Sequence, residues 1–170
     1  MIRFSKYKVA HRRRREGRTD YRFRLKLLKS KKPRFVVRKF NKNISCQIIE
    51  YNPKGDKTIV SAHSRELKNL GWSHNAGNLP AAYLTGLLCG LRAKDKKIKE
   101  AVFDAGLYTS TKGSKLYAAL KGFLDAGVAI PHSSEILPDE KRIKGEHITE
   151  ERRPKIFQEV KEKILKHKSA

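Results

Sequence analysis

The sequence predicts an α/β fold: a three-stranded antiparallel meander extended by a parallel strand, helices packed on the sheet, a basic N-terminal arm and a C-terminal helix. Three observations lead there. Three short runs rich in β-branched and aromatic residues follow one another between residues 34 and 63, divided by turn-forming residues. Two stretches with helical periodicity flank a fourth run at Ile98–Asp104. Charge gathers at one end: the first 34 residues hold 15 Lys and Arg against Glu16 and Asp20, which puts +13 of the net +23 there.

From Arg14 to Lys29, Tyr21, Leu25 and Leu28 recur at helical spacing among arginines and lysines. This predicts a basic helix, loosely docked, capped by Thr19 or an earlier residue and ended by Pro33. Arg34–Asn41 and Ile44–Tyr51 read as two strands joined by a tight hairpin at Asn41-Lys42-Asn43. Asn52–Asp56 is a turn cluster, and Lys57–His63 is the third strand. A short helix is expected within Arg65–Trp72 and a loop over Gly71–Asn78.

Asn78 then caps a helix over Leu79–Lys96, with Pro80 in its first turn. Inside it Ala82, Gly86 and Gly90 recur every four residues. An interior glycine costs about 1 kcal/mol relative to alanine, so the spacing predicts close approach of this face to the sheet. Because a helix precedes Ile98–Asp104, that strand should run parallel to a neighbour. Ala105–Gly113 is a loop, Ser114 caps a helix through Ala126, and Gly127 sits where a left-handed residue ends it. Val128–Ile130 is a short extended piece. A last helix from about Glu150 to Lys168, with Pro154 in its first turns, carries a narrow stripe of Ile156, Val160 and Ile164 suited to a partner protein or RNA. The expected divisions are 1–33 for the arm and its helix, 34–132 for the α/β core, and 133–170 for a C-terminal extension.

A balance of 40 basic against 17 acidic residues is more than solubility asks for, and self-repulsion at +23 destabilises a compact free chain. A polyanion neutralises it. A membrane is the poorer partner, since no apolar run approaches the ~18 residues of a spanning helix. The N-terminal arginines are followed by no apolar region of a secretory signal. Cys46 and Cys89 lie far apart in apolar stretches and read as buried free thiols in a reducing cytoplasm.

The nucleic-acid reading rests on three motifs. Arg12, Arg13, Arg14 and Arg15 run together near Phe4, Tyr7 and Tyr21. Guanidinium forks grip phosphates and stack on exposed bases, and aromatic rings offer stacking faces. Lys6, Lys8, Arg18, Arg22 and Arg24 extend the same surface. The loop Thr109-Ser110-Thr111-Lys112-Gly113-Ser114-Lys115 precedes a helix start, which favours a phosphate, although it lacks the Gly-Lys-Ser/Thr order of a nucleotide cradle. Thr109, Thr111, Lys112, Ser114 and Lys115 are its candidate contacts. The third motif is the hairpin tip, with Asn41, Lys42 and Asn43 beside Phe40, a weaker signal than the other two. For catalysis, Asp56, Asp104 and Asp125 are the carboxylates to weigh, since a nuclease groups two or three around a metal. The six histidines show no HxxxH or HxH spacing, and no nucleophile elbow is present. The expectation is a protein that is not an enzyme and uses no metal or cofactor.

Several stretches resemble a known family, the large-subunit ribosomal protein L-eighteen (L-five in eukaryotes). They are Arg12–Tyr21 (RRRREGRTDY), Arg34–Gln47 (RFVVRKFNKNISCQ), Asn78–Arg92 (NLPAAYLTGLLCGLR), Phe103–Gly127 with Ile130-Pro131-His132, and Gly145–Ile148 (GEHI). The resemblance implies an α/β domain with a basic arm that binds 5S rRNA in the central protuberance. It also implies contacts with the large-subunit rRNA and neighbouring ribosomal proteins, in a cytoplasmic ribosome, with no small-molecule substrate and no membrane. By resemblance the N-terminal arginines, the Asn41–Asn43 hairpin and the Thr109–Lys115 loop become RNA contacts. An archaeal-type member is the expectation; Thr149–Ala170 resembles nothing in the family.

Overall fold

The computed structural model describes residues 9–147 and 152–166. Strands β1 (Arg34–Lys39), β2 (Ile44–Glu50), β3 (Lys57–His63) and β4 (Val102–Asp104) form one sheet in the order β3-β2-β1-β4. β1 and β3 each pair antiparallel with β2, and β4 pairs parallel with β1. The meander is thus as the apolar runs and turns indicated, and the parallel extension as the preceding helix indicated. The fourth strand is shorter than Ile98–Asp104: Glu100 makes only an isolated parallel bridge to Ala129, which gives the Val128–Ile130 piece its place at the sheet edge.

Strand period decides the two faces. Phe35 and Val37 of β1, Ile44, Cys46 and Ile48 of β2, and Val60 and Ala62 of β3 point into the main core. Arg34, Val36 and Arg38 alternate onto the opposite face. On the core side, helix α3 (Leu79–Asp95) covers β2 and β3, and helix α4 (Lys115–Asp125) lies against α3 and β1. Phe35 stacks on Phe123 at 4.1 Å between centroids and meets Phe103 at 6.1 Å. Such aromatic pairs add about 0.5–1.5 kcal/mol each beyond simple burial.

Asn78 caps α3 as its sequence predicted, accepting from the Ala81 amide at 2.9 Å. The glycines of α3 have a different neighbour from the one expected: they face α4 and not the sheet. A Cβ on Gly86 would lie 2.0 Å from the Ala119 carbonyl oxygen, and one on Gly122 of α4 would lie 2.1 Å from that of Tyr83. The two helices touch backbone to backbone, so Gly86→Ala is expected to destabilise the fold by roughly 2–3 kcal/mol despite its better helix propensity. A drop in urea midpoint at unchanged m-value checks this.

The N-terminal helix is two pieces. Arg12–Arg15 makes one turn, α1, ended by Gly17 at φ +62°, and α2 is Tyr21–Leu28. The cap of α2 is Asp20, whose carboxylate accepts from the Arg22 and Phe23 amides at 2.8 and 3.1 Å. Thr19, the expected cap, instead accepts from Arg13 Nε at 2.9 Å.

A 3-10 helix at Ser64–Leu70 follows β3, begun by the His63 amide donating to the Glu66 carboxylate at 2.7 Å and the Arg65 amide donating to His63 Nδ1 at 3.1 Å. The short helix α5 (Glu140–Lys144) has no counterpart in the sequence reading. Helix α6 (Arg152–Lys166) overturns an expectation. Its stripe is Phe157, Val160 and Ile164, exposed by only 3%, 1% and 1%, and it packs on α3, α5 and the 3-10 helix. The chain's own core covers the face that the narrow stripe assigned to a partner. Burial pushes the Cys89 thiol up to about 12 and raises that of Cys46 as well, so both thiols stay protonated and inert at physiological pH.

Candidate nucleic-acid interface

The candidate surface begins with the arm. Arg12, Arg13, Arg14 and Arg15 are exposed on α1. Glu16 sits between Arg12 and Arg18 at 3.6 and 3.3 Å, while Arg14 and Arg15 make no ion pair among the described residues. Lys6, Tyr7 and Lys8 lie outside the described residues.

Helix α2 is tied to the sheet face opposite the main core. Arg24 Nη2 donates to both carboxylate oxygens of Asp56, at 2.9 and 2.8 Å. Asp56 also accepts from Arg34 Nη2 at 2.6 Å, and Arg34 Nη1 donates to Asp104 Oδ2 at 2.9 Å. Asp104 Oδ1 accepts in turn from Arg38 Nη2 at 3.1 Å and from the Gly106 amide at 2.8 Å. Arg38 Nη1 donates to the carbonyls of Val37 and Asp104 at 2.9 and 2.8 Å. Three guanidinium groups thus share two carboxylates, and one positive charge remains. Each group has several charge-assisted hydrogen bonds, the condition under which buried ions are tolerated. Asp56 and Asp104, two of the carboxylates weighed for catalysis, are held by arginines, and Asp125 accepts from Tyr83 and Lys121 at 2.8 Å each. Burial, and after it the hydrogen bond to Asp125, raise the Tyr83 hydroxyl's pKa.

Over this ionic floor opens a cleft of about 970 Å³ between α2, the outer face of β1, the Tyr51–Asp56 turn and the loop after β4. Arg13, Arg18, Tyr21 and Arg24 line it from the arm side, and Phe40, Tyr51, Leu107 and Tyr108 from the domain side. Arg22, on the far side of α2, faces a smaller recess with Arg14 and Leu107.

The hairpin tip and the loop before α4 also come together. Phe40 N–H donates to the Asn43 carbonyl at 2.8 Å and closes the turn, leaving Asn41 and Lys42 exposed and Asn43 half-buried. Gly77 abuts this turn: a Cβ there would meet the Asn41 oxygen at 2.9 Å. Tyr108 Oη donates to the Lys39 carbonyl at 2.6 Å, and Lys39 Nζ lies 5.1 Å over the Tyr108 ring. The resulting groove is lined by Lys39, Phe40, Asn41, Lys42, Tyr108 and Lys115. Thr109, Thr111 and Lys112 are exposed beyond it, with Lys112 paired to Glu135 at 3.0 Å. Ser114 holds the N-cap position of α4, but its hydroxyl is buried and has no hydrogen-bond partner among the described residues.

Residues 5–103, and again 91–133, match the family model described as ribosomal large subunit proteins 60S L5 and 50S L18. The chain belongs to this family. Among relatives of the L5/L18 family, the large ribosomal subunit protein uL18 of Korarchaeum cryptofilum is 59% identical over 87% of this chain and 76% of its own length. The uL18 of Halobacterium salinarum is 55% identical over 85% of this chain and 79% of its own. Membership makes this a large-subunit ribosomal protein of archaeal kind, in agreement with the resemblance seen in the sequence. Among the described residues no helix is long and apolar enough to cross a membrane.

The sequence motifs missed Lys39, Arg34, Arg38, Tyr51 and Tyr108. A signal existed for two of them. Arg34, Val36 and Arg38 alternate with Phe35 and Val37, so the second face of β1 carries two cations where the first is core. Nothing in sequence spacing marks Tyr51 or Tyr108.

Proposed function

We propose that this large-subunit protein binds 5S rRNA and attaches it to the large-subunit rRNA in the central protuberance, beside neighbouring ribosomal proteins. It acts without turnover, as a scaffold in the cytoplasmic ribosome. The observation that carries this is the continuity of the basic surface: arm, cleft, hairpin tip and the loop before α4 adjoin one another although they are far apart in sequence. Arginines for phosphates, aromatic rings for bases and an excess charge of +23 suit a folded polyphosphate. Family membership supports an RNA of the large subunit as that polyanion. On this reading Lys6, Tyr7 and Lys8 extend the arm's contacts, and Thr109, Thr111, Lys112 and Lys115 grip phosphates next to the hairpin tip.

The test is a gel-shift titration with 5S rRNA and with an RNA duplex of equal length. We expect tighter binding to 5S rRNA, and a steep loss of affinity with salt in both cases. Equal affinity for the two RNAs at physiological salt would remove the 5S assignment.

A further inference from the structure

The cleft under α2 has chemistry that phosphate binding does not use. We infer that it receives an unstacked nucleobase, whose flanking phosphates lie on Arg13 and Arg18. The inference deepens the 5S rRNA reading and rests on it.

Two independent features point to a base. Phe40 and Tyr51, residues 58% and 53% exposed, line the cleft, and Tyr108 lines it with them. Aromatic faces left in water around a cationic cavity suit a flat, electron-rich ring carried on an anion; an apolar peptide brings no charge to answer the one positive charge that the ionic floor leaves over. Stacked bases in a duplex hide their faces, whereas an unpaired base is already partly out of the stack and costs little to insert. The second feature is Arg34. It lines the same cleft, is only 4% exposed, and its Nε–H is buried without an acceptor among the described residues. A base carbonyl or ring nitrogen seated in the cleft supplies such an acceptor once the Arg34 guanidinium turns toward it. The volume of about 970 Å³ holds a nucleotide and ordered water, as small-ligand clefts do.

The experiment compares the full chain with F40A/Y51A and with the ring-keeping pair F40Y/Y51F. Each is titrated against 5S rRNA across a salt series, and circular dichroism confirms that the fold is kept. Photo-crosslinking to 5S rRNA and to oligouridine, followed by peptide mapping, completes the design. We expect F40A/Y51A to lose about tenfold or more in affinity at unchanged salt slope, F40Y/Y51F to bind as the parent, and crosslinks to map to Tyr51 or Tyr108. Equal 5S affinity of parent and F40A/Y51A overturns the cleft inference and leaves 5S binding standing. If the parent shows no preference for 5S rRNA, the 5S reading fails. The oligouridine arm then decides the cleft: crosslinks at Tyr51 or Tyr108 support it, and crosslinks confined elsewhere overturn it.

Discussion

Replacing Asp104 with alanine is expected to destabilise the protein by about 3–5 kcal/mol, the cost of leaving a buried cation without its partner. The Arg34 and Asp104 side chains are 4% and 7% exposed, so water replaces the lost hydrogen bonds poorly. The damage should spread. Asp104 holds Arg34 and Arg38, and Arg34 helps to hold Asp56, the anchor of Arg24 on α2. Amide exchange in α2 should therefore accelerate more than the global loss accounts for. The informative companion is R34M/D104L, which removes both charges of the pair and should regain most of the stability, because a well-packed apolar pair often equals a buried ion pair. The exposed pair Lys112–Glu135 is the control: with side chains 72% and 73% exposed, its loss should change the unfolding midpoint little. An Asp104→Ala protein as stable as the parent would show that the ionic floor contributes nothing to folding.

The second large effect is on RNA affinity. Changing Arg12, Arg13, Arg14 and Arg15 together to glutamine should reduce the dependence of log affinity on log salt by about 3.6 units, four phosphate contacts at ~0.9 each. At 0.15 M salt this corresponds to an affinity loss of about a thousandfold, since counterion release then contributes roughly 1 kcal/mol per contact. Thermal stability should not fall, because all four side chains are exposed and α1 buries no residue. The opposite pattern, with a stability loss and an unchanged salt slope, would place the RNA elsewhere on the molecule.

The contrast between the two experiments reflects what each feature owes to the chain. The arginine run is a local fact, visible wherever the four residues lie, and its exposure follows from the absence of apolar partners around it. Strands β1 to β3 were legible for a similar reason. Alternation at period two and the Asn-Lys-Asn turn act over a few residues and leave little choice of register. The capped start of α3 at Asn78 and the left-handed Gly127 after α4 are likewise local, and the structure places both as read.

What went unread involves a choice of neighbour. The glycines of α3 announced a close approach, but the same periodicity serves a sheet or a helix, and α4 took the place. The stripe on α6 showed an apolar face, yet nothing in its spacing tells what covers it; the core of the chain does. Tyr21, Leu25 and Leu28 fitted a helical stripe, but Leu25 is 57% exposed, while the neighbouring Arg24 meets Asp56 at the sheet.

By itself, then, the sequence determined the class of fold, the order of its strands and capped helices, and the sign and position of its charge. These depend on neighbours along the chain and on sums over it. Only the tertiary structure decided that Arg34 meets Asp104 across 70 residues and Arg38 meets the same carboxylate across 66, and that Tyr51 and Tyr108 line one cleft. Hydrogen bonds and ring contacts act over a few ångströms of space, and the chain order of two residues says almost nothing about that distance until the sheet has closed.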